Sequence, residues 1–201
     1  MIKAIFFDLD GVLTTDKTGS VTISKHITSK TGLDYDLVLC IKEQYDEPLD
    51  DGRITYEEAW NEICNELGTT LDFVLVKESY ITTPIDHKII EFAKSLKSKF
   101  KVGIITDNMI DRTNFLWKHN SWDKIFDDMV VSASVGSRKN ETKIFEIACE
   151  RLNVSPNECI FIDNKESNLT ACEELGMNGI YFDDKKRAYE ELFAAVDSLI
   201  K

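Results

Sequence analysis

The sequence lacks cysteine pairs, long apolar runs and an excess of basic residues. Its five cysteines are scattered and form no C-x-x-C pair, which argues against zinc and dithiol redox motifs and favours buried free thiols in a reducing compartment. The first apolar run, residues 4–7, stops at Asp8, far short of a signal-peptide core, and no later apolar stretch approaches a membrane span. We therefore expect a cytoplasmic protein with no membrane contact.

Basic residues are outnumbered by acidic ones, 24 to 36, which gives a net charge of −12. Such a chain repels the phosphate backbone of nucleic acids, so we expect no nucleic-acid partner. An anionic substrate would need a local positive site made of a few residues or a metal ion. With 201 residues, of which 43% are hydrophobic, the chain can form one domain or a core with a small insert.

Short apolar runs alternate with segments of helical period along much of the chain. Five such runs predict buried strands at residues 2–9, 102–105, 129–131, 159–162 and 179–182. Helical patterns separate the last four runs. Continuous apolar strands separated by helices predict an α/β fold with a parallel, Rossmann-like sheet that is covered on both faces.

The interval between the first two strands is roughly 90 residues, whereas a simple crossover unit needs only about 30. It contains three apolar stripes of helical period, one of them opened by a capping box of Thr55 and Glu58. A short β-branched run at 21–23 predicts one strand there, and Thr83-Pro84 is expected to begin the helix that returns to the core. We predict a helical subdomain at 16–82, inserted into a core of residues 1–15 and 83–201.

Polar side chains follow the predicted strands, at the sheet edge where ligands bind in parallel α/β folds. These residues are Asp8, Asp10, Thr106, Asp107, Asn108, Lys139, Asp163 and Asn164. A single carboxylate at such a position is often only a helix cap or turn former. Asp8 and Asp10, however, lie two residues apart at the end of a buried strand, and like charges so close need compensation. With Asp163, the natural compensator is a hard divalent cation, Mg²⁺ above all.

Four motifs in a fixed order make the sequence resemble the haloacid dehalogenase superfamily. They are Asp8-Leu9-Asp10-Gly11-Val12, Ile104-Ile105-Thr106-Asp107-Asn108, Gly136-Ser137-Arg138-Lys139-Asn140 and Phe161-Ile162-Asp163-Asn164. The helical insert resembles the cap that one subgroup of this superfamily carries after its first strand. Within that subgroup, the turn Gly52-Arg53-Ile54-Thr55 is similar to that of small sugar-phosphate phosphatases.

The resemblance implies Mg²⁺-dependent hydrolysis of a small phosphorylated metabolite through an aspartyl-phosphate. Asp8 would be the nucleophile, and Asp10 would protonate the leaving oxygen and then activate water. Thr106 and Lys139 would hold the phosphoryl oxygens. The remaining substrate-binding candidates are Asp107, Asn108 and Arg53. The implied metal site is formed by Asp8, Asp10 through its carbonyl, Asp163 and Asn164.

Two positions depart from the superfamily pattern. Asn140 stands where a proline usually follows the lysine, and Asn164 stands where a second acid is common. Because an amide oxygen is a weaker ligand for a hard cation than a carboxylate, either Asp163 holds the metal, directly or through water, or Mg²⁺ binds weakly.

Other activities share the proposed nucleophile. A dehalogenase needs no acid at the position of Asp10. A phosphonate hydrolase would need a cap lysine that forms a Schiff base, and the candidates are Lys25, Lys30, Lys42 and Lys77. A phosphomutase would need cap residues that retain an intermediate, and a catalytically weak binding protein of the same fold is the alternative outside enzymology. The oligomeric state is left open.

Overall fold

A computed structural model describes all 201 residues. The predicted parallel α/β sheet is confirmed. Its five strands are β1 (Ala4–Phe7), β2 (Lys101–Thr106), β3 (Asp128–Val131), β4 (Cys159–Asp163) and β5 (Asn178–Tyr181). They lie in the order β3-β2-β1-β4-β5, and every neighbouring pair is parallel. This order places β1, and the acidic residues that follow it, at the centre of the sheet.

Alternate side chains of the central strands face two separate hydrophobic clusters. Ile5 and Phe7 pack into one cluster, whereas Ala4 and Phe6 pack into the other on the opposite face. All four residues of β1 are buried, as expected for a strand covered on both sides. β1 is nevertheless shorter than the predicted run 2–9, and the chain turns away from the sheet at Leu9–Leu13, where Asp10 and Gly11 have non-helical backbone angles.

Eleven α-helices complete the molecule, six of them in the long interval between β1 and β2. The first five of these lie within residues 16–82: α1 (Gly19–Thr31), α2 (Tyr35–Glu43), α3 (Asp46–Asp50), α4 (Tyr56–Glu66) and α5 (Val74–Ile81). The others are α6 (His87–Leu96), α7 (Ile110–His119), α8 (Ser132–Val135), α9 (Thr142–Arg151), α10 (Glu166–Glu174) and α11 (Tyr189–Ile200). None of them combines the length and hydrophobicity needed to cross a bilayer.

The helices of the interval pack around a hydrophobic cluster of their own, which includes Ile27, Val38 and Ile63. The capping box of Thr55 and Glu58 opens α4 as the sequence predicted. We call residues 16–82 the insert, and this boundary stays a prediction. Thr14 and Ile85, close to its two ends, pair in an isolated antiparallel bridge.

Two predictions within or beside the insert are wrong. Residues 21–23 belong to α1 instead of a strand, because the Thr18 hydroxyl caps the helix at Val21 and the buried Ile23 packs into the insert cluster. This tertiary packing outweighs the weak strand preference of a β-branched run. The helix after the insert is capped by Asp86 instead of Thr83-Pro84, since the Asp86 carboxylate accepts from two backbone N–H groups of α6.

Candidate active site

A polar cavity of about 140 Å³ opens at the carboxyl edge of the central strands. The core contributes Asp8, Asp10, Thr106, Asp107, Asn108, Arg138 and Lys139 to its lining. The insert contributes Ser20, Asp46, Leu49 and Asp50. The structure therefore gathers most of the polar residues singled out from the sequence, and it adds a second wall that belongs to the insert.

Lys139 bridges two buried carboxylates. Its Nζ lies 2.7 Å from Asp8 Oδ1 and 2.7 Å from Asp163 Oδ2, and Asn168 donates a further hydrogen bond of 3.0 Å to Asp163 Oδ2. Burial opposes the charge of Lys139, but the two carboxylates outweigh burial and raise its pKa. Burial and the neighbouring Asp163 raise the pKa of Asp8 to about 8, against the opposing effect of Lys139. Burial and Asp163 thus disfavour the ionised form of Asp8.

Asp10 is oriented by a buried arginine that the sequence reasoning missed. Arg112, on α7, donates from Nη1 to Asp10 Oδ2 at 2.7 Å and from Nη2 to Asp10 Oδ1 at 2.8 Å. Asn108 Nδ2 donates to Asp10 Oδ2 at 2.8 Å. A two-pronged guanidinium contact fixes both the position and the plane of a carboxylate. Arg112 stands four residues after Asn108, in the first turn beyond β2, and that position near the sheet edge was the available signal.

The remaining candidates of the second motif have different surroundings. Thr106 is buried and lines the cavity. The Asp107 carboxylate accepts from the Lys139 backbone N–H at 3.0 Å, which ties the loop that carries the lysine to the end of β2. The Asn108 backbone N–H donates to Ser132 Oγ at 2.9 Å, besides the contact of the Asn108 side chain with Asp10. Asp107 and Asn108 therefore support neighbouring site residues as well as lining the cavity.

The structure does not bring Arg53 to the cavity. Its guanidinium pairs with Glu47 at 2.7 Å and Asp51 at 2.8 Å, and its side chain is 57% exposed. Glu47 on α3 and Asp51 just after it hold the guanidinium toward solvent, so the candidate substrate-binding residue Arg53 does not line the cavity. Arg138 instead reaches the cavity, with Nε 3.6 Å from Asp107 Oδ2 and 3.7 Å from Asp51 Oδ1.

The oxygen donors around Asp8 fit a hard divalent cation. Asn164 Oδ1 is buried and has no hydrogen-bond partner, while the contacts of the Asp8 carboxylate fall on Oδ1. Gly11, at φ +83°, lets Asn164 pack against this loop, because a Cβ there would lie 2.2 Å from Asn164 Nδ2. No three His, Cys, Asp or Glu side chains cluster as a ready-made cage. Mg²⁺ usually needs only one or two carboxylates besides water and substrate oxygens.

A family model of haloacid dehalogenase-like hydrolases matches residues 2–176. The chain belongs to this family. The acidic loop after β1 and the Lys139 loop both lie inside the matched region.

The hydrolase is similar to several curated proteins at low identity. It is 27% identical over 214 residues to bifunctional epoxide hydrolase 2 of Rattus norvegicus, an alignment of 95% of this chain and 38% of that protein. It is 24% identical to a sesquiterpene phosphatase of Aspergillus oryzae, over 94% of both chains. It is also 24% identical to a glyceraldehyde 3-phosphate phosphatase of Methanothermobacter thermautotrophicus, over 90% of this chain and 85% of that one. The chain spans little more than a third of the first two curated relatives.

Among solved structures, a haloacid dehalogenase family enzyme of Bacteroides thetaiotaomicron in complex with magnesium and inorganic phosphate has the same fold. Its TM-score is 0.75 at 20% identity, covering 96% of this chain and all of that one. A predicted haloacid dehalogenase-like hydrolase of Porphyromonas gingivalis has a TM-score of 0.72 at 21% identity, covering 98% of each chain.

Beyond the matched region, Arg187 contacts the loop that follows the central strand. It donates to the carbonyl oxygen of Gly11 at 2.7 Å, to that of Val12 at 3.1 Å and to that of Thr14 at 3.3 Å. It also pairs with Asp86, whose carboxylate accepts a hydrogen bond of 2.8 Å from the Tyr189 hydroxyl. Arg187 thus joins the acidic loop of this hydrolase to the segment just after the insert, and no sequence motif indicated it.

Proposed function

We propose that this hydrolase is a Mg²⁺-dependent phosphomonoesterase that acts on a small phosphorylated metabolite through an aspartyl-phosphate. The observation that carries the proposal is the arrangement of Asp8, Asp10 and Lys139 at one cavity. A carboxylate at the end of the central strand contacts a buried lysine, and a second carboxylate two residues later is held by Arg112. The relatives named as phosphatases support the same reaction class.

In the first step, an oxygen of Asp8 forms a bond to phosphorus while the bond between phosphorus and the alcohol oxygen breaks. Asp10, in its protonated form, gives its proton to the leaving oxygen. In the second step, Asp10 takes a proton from water, the water oxygen bonds to phosphorus, and the bond from phosphorus to Asp8 breaks. Phosphate is released, and both carboxyl groups return to their starting states.

Charge control around these steps falls to Lys139 and Thr106. The Lys139 ammonium stabilises negative charge on the phosphoryl oxygens, and the Thr106 hydroxyl donates to them. Mg²⁺ held by Asp8, Asp163 and Asn164 would supply further positive charge, favouring ionised Asp8 and offsetting the charge of the phosphoryl group.

Proton transfer by Asp10 requires a local rearrangement. Arg112 and Asn108 together occupy both of its carboxylate oxygens, and Thr14 donates to Oδ1 as well. One of these contacts therefore lengthens when Asp10 carries the proton that it delivers. The bidentate contact suits the ionised state, in which Asp10 accepts a proton from water.

The placement of lysines removes the four candidates considered for a Schiff base, and the insert lysine that lines the cavity is Lys17 instead. The cavity is lined by Lys17, Lys139 and Lys165 but by none of the four candidate lysines of the insert. Lys25 instead pairs with Asp16, and Lys42 is completely buried.

The proposal is tested by phosphate release from p-nitrophenyl phosphate and from a panel of phosphorylated metabolites, with Mg²⁺ titrated from zero. We expect release that depends on Mg²⁺. Asn164→Asp should lower the half-saturating Mg²⁺ concentration, because a carboxylate binds a hard cation more tightly than an amide does, and Asp163→Ala should raise it.

Asp183→Ala is the matched control, because Asp183 follows the neighbouring strand and pairs with the exposed Lys186. Its half-saturating concentration should equal that of the wild type. Absence of phosphate release from every compound at saturating Mg²⁺ would contradict the proposed function. An unchanged Mg²⁺ dependence in both site variants would contradict the proposed metal ligands alone.

A further inference from the structure

A second cavity, of about 150 Å³, adjoins the polar cavity. The two share Leu49 from the insert and Met109 from the core. Seven of the ten residues that line the second cavity are hydrophobic, among them Ile54, Tyr80 and Ile110. We call it the apolar cavity. A path from the phosphoryl site toward the insert therefore leads from charged walls to apolar ones.

Close docking of the insert on the core forms this cavity. Ser132 Oγ donates to the Asp50 carbonyl oxygen at 2.6 Å. Gly52, at φ +70°, approaches α8 so closely that a Cβ would lie 2.6 Å from the Ala133 carbonyl oxygen. The turn that resembles sugar-phosphate phosphatases thus lines the apolar cavity with Gly52 and Ile54, while its arginine points to solvent.

One polar atom of this lining lacks a partner. The Tyr56 hydroxyl is buried without a hydrogen bond, and the Tyr56 ring lies beneath Lys42 Nζ at 4.2 Å from the ring centroid. Burying a hydroxyl without a partner is unfavourable, and because this oxygen is inaccessible it offers no hydrogen-bonding group to the cavity. Sugars and polyols carry many hydroxyls and find few partners on such walls, whereas an apolar group loses water on entering.

We propose that the apolar cavity binds the hydrophobic part of the alcohol that leaves during phosphomonoester hydrolysis. The inference rests on the proposed function, because it assigns the leaving-group side of the same site. A cavity of about 150 Å³ is large enough for a benzene ring. The substrate class is therefore an alcohol monophosphate with a short branched or aromatic body, and sugar phosphates fall outside it.

The test compares monophosphates whose leaving alcohols have similar reactivity and different bodies: ethyl, isopentyl, phenethyl and glycerol phosphate. The readout is the ratio of kcat/KM for phenethyl phosphate to kcat/KM for ethyl phosphate. We expect a ratio of about tenfold or more in the wild type, because even one methylene group in an apolar pocket changes kcat/KM by about tenfold. Glycerol phosphate should not exceed ethyl phosphate.

Ile110→Asp places a charge on the cavity wall and should bring the ratio close to one. Ile110 is 43% exposed and opens α7, where an aspartate is compatible with the helix N-terminus. Ile81→Asp is the control, since Ile81 is 59% exposed and lies outside both cavities. It should keep the wild-type ratio. As a second measurement, phenethyl alcohol should inhibit hydrolysis of ethyl phosphate competitively in the wild type, and more weakly in Ile110→Asp.

The outcomes separate the two proposals. Hydrolysis of all four compounds with a wild-type ratio near one, or a ratio that Ile110→Asp leaves intact, overturns the apolar subsite and leaves the phosphomonoesterase standing. No hydrolysis of these compounds or of p-nitrophenyl phosphate overturns the proposed function and the subsite with it.

Discussion

In the core, the buried acids beside the polar cavity face strong cationic partners, whereas in the insert buried charge has few partners. Lys139 contacts two carboxylates at 2.7 Å, and Arg112 holds Asp10 through two bonds. In the insert, Lys42 Nζ is buried without a hydrogen bond, and its nearest carboxylate, on Asp46, is 4.0 Å away. The core thus fixes the geometry of its charges, while the insert leaves its charges weakly compensated.

The core and the insert also differ in the pKa values of their buried groups. Burial lowers the pKa of Lys42 to about 8, although Asp46 and Asp50 act in the opposite direction. Burial, then Asp46 and Asp107, raise the pKa of Asp50 to about 7. In the core, Asp8 is the acid with a strongly raised pKa, and it is the residue assigned as nucleophile. Burial therefore disfavours the ionised forms of Lys42 and Asp50 in the insert and of Asp8 in the core.

The largest effect should come from replacing Asp10, which accepts hydrogen bonds from both Arg112 and Asn108. Asp10→Asn should lower kcat by about 10²–10⁴-fold, the usual contribution of general acid–base catalysis. It should also lower the free energy of unfolding by about 3 kcal/mol, because Arg112 stays buried with its charge unbalanced. Steady-state kinetics and urea unfolding measure the two effects.

Asp123→Asn is the control for this variant, because Asp123 is exposed and distant from the cavity. Both its rate and its stability should match the wild type. A stable Asp10→Asn protein with undiminished kcat would remove Asp10 from the mechanism and Arg112 from its supporting role.

The second-largest effect should come from Arg187, which lies beyond the residues that the family model matches and contacts the acidic loop after β1. Arg187→Ala should lower kcat by roughly 10²-fold with little change in KM, since small displacements of catalytic groups cost about that much. Arg187→Lys should recover only part of kcat, because one ammonium cannot replace a fork that reaches three carbonyl oxygens. Lys186→Ala, at an 81% exposed neighbour, is the control. Equal kcat in all four proteins would show that the loop keeps its position without Arg187.

Sequence reasoning succeeded where local pattern and position determine the structure. The apolar runs predicted all five parallel strands, and strand ends placed Asp8, Thr106 and Asp163 at one edge because parallel strands share it. The strand predicted at 21–23 failed because the Thr18 cap and the insert cluster decide that segment. Local preference of three β-branched residues is too weak to compete with such packing.

The basic residues of the site were harder to predict. Arg112 and Arg187 reach partners 102 and about 175 residues away in the sequence, and no periodicity encodes such contacts. Arg53 and Arg138 look equivalent in sequence, since each lies in a glycine-containing turn. What separates them is the position of neighbouring acids: Glu47 and Asp51 hold Arg53 outside, while Asp107 lies beside Arg138 at the cavity.

The smallest effect should come from replacing Lys42 in the insert, and it concerns stability alone. Lys42→Met should raise the free energy of unfolding at pH 7 by about 1 kcal/mol or more, because it replaces a buried, weakly paired charge by an apolar chain. The folded-state pKa of Lys42 is lowered from 10.5 to about 8, so its penalty is absent above pH 10.5, grows as pH falls from 10.5 to about 8, and is fully present below that pH. The stability gain of Lys42→Met should therefore disappear above pH 10.5.

Urea unfolding across this pH range measures the effect, with the exposed Lys30→Met as control. The control should show no pH-dependent gain. A destabilised Lys42→Met protein at pH 7 would mean that the ammonium is well compensated. Buried charge would then be as well paired in the insert as in the core.

Trapping of the covalent intermediate is the most direct test of whether Asp8 attacks phosphorus. Enzyme turning over p-nitrophenyl phosphate with Mg²⁺ is quenched in acid, digested and examined by mass spectrometry. We expect a phosphoryl group on the peptide that contains Asp8 in the wild type, and neither a phosphoryl group nor phosphate release in Asp8→Asn. That variant should fold with at least wild-type stability at neutral pH, since burial already disfavours the charged form of Asp8. A phosphoryl group on another peptide, or turnover by Asp8→Asn, would contradict the account.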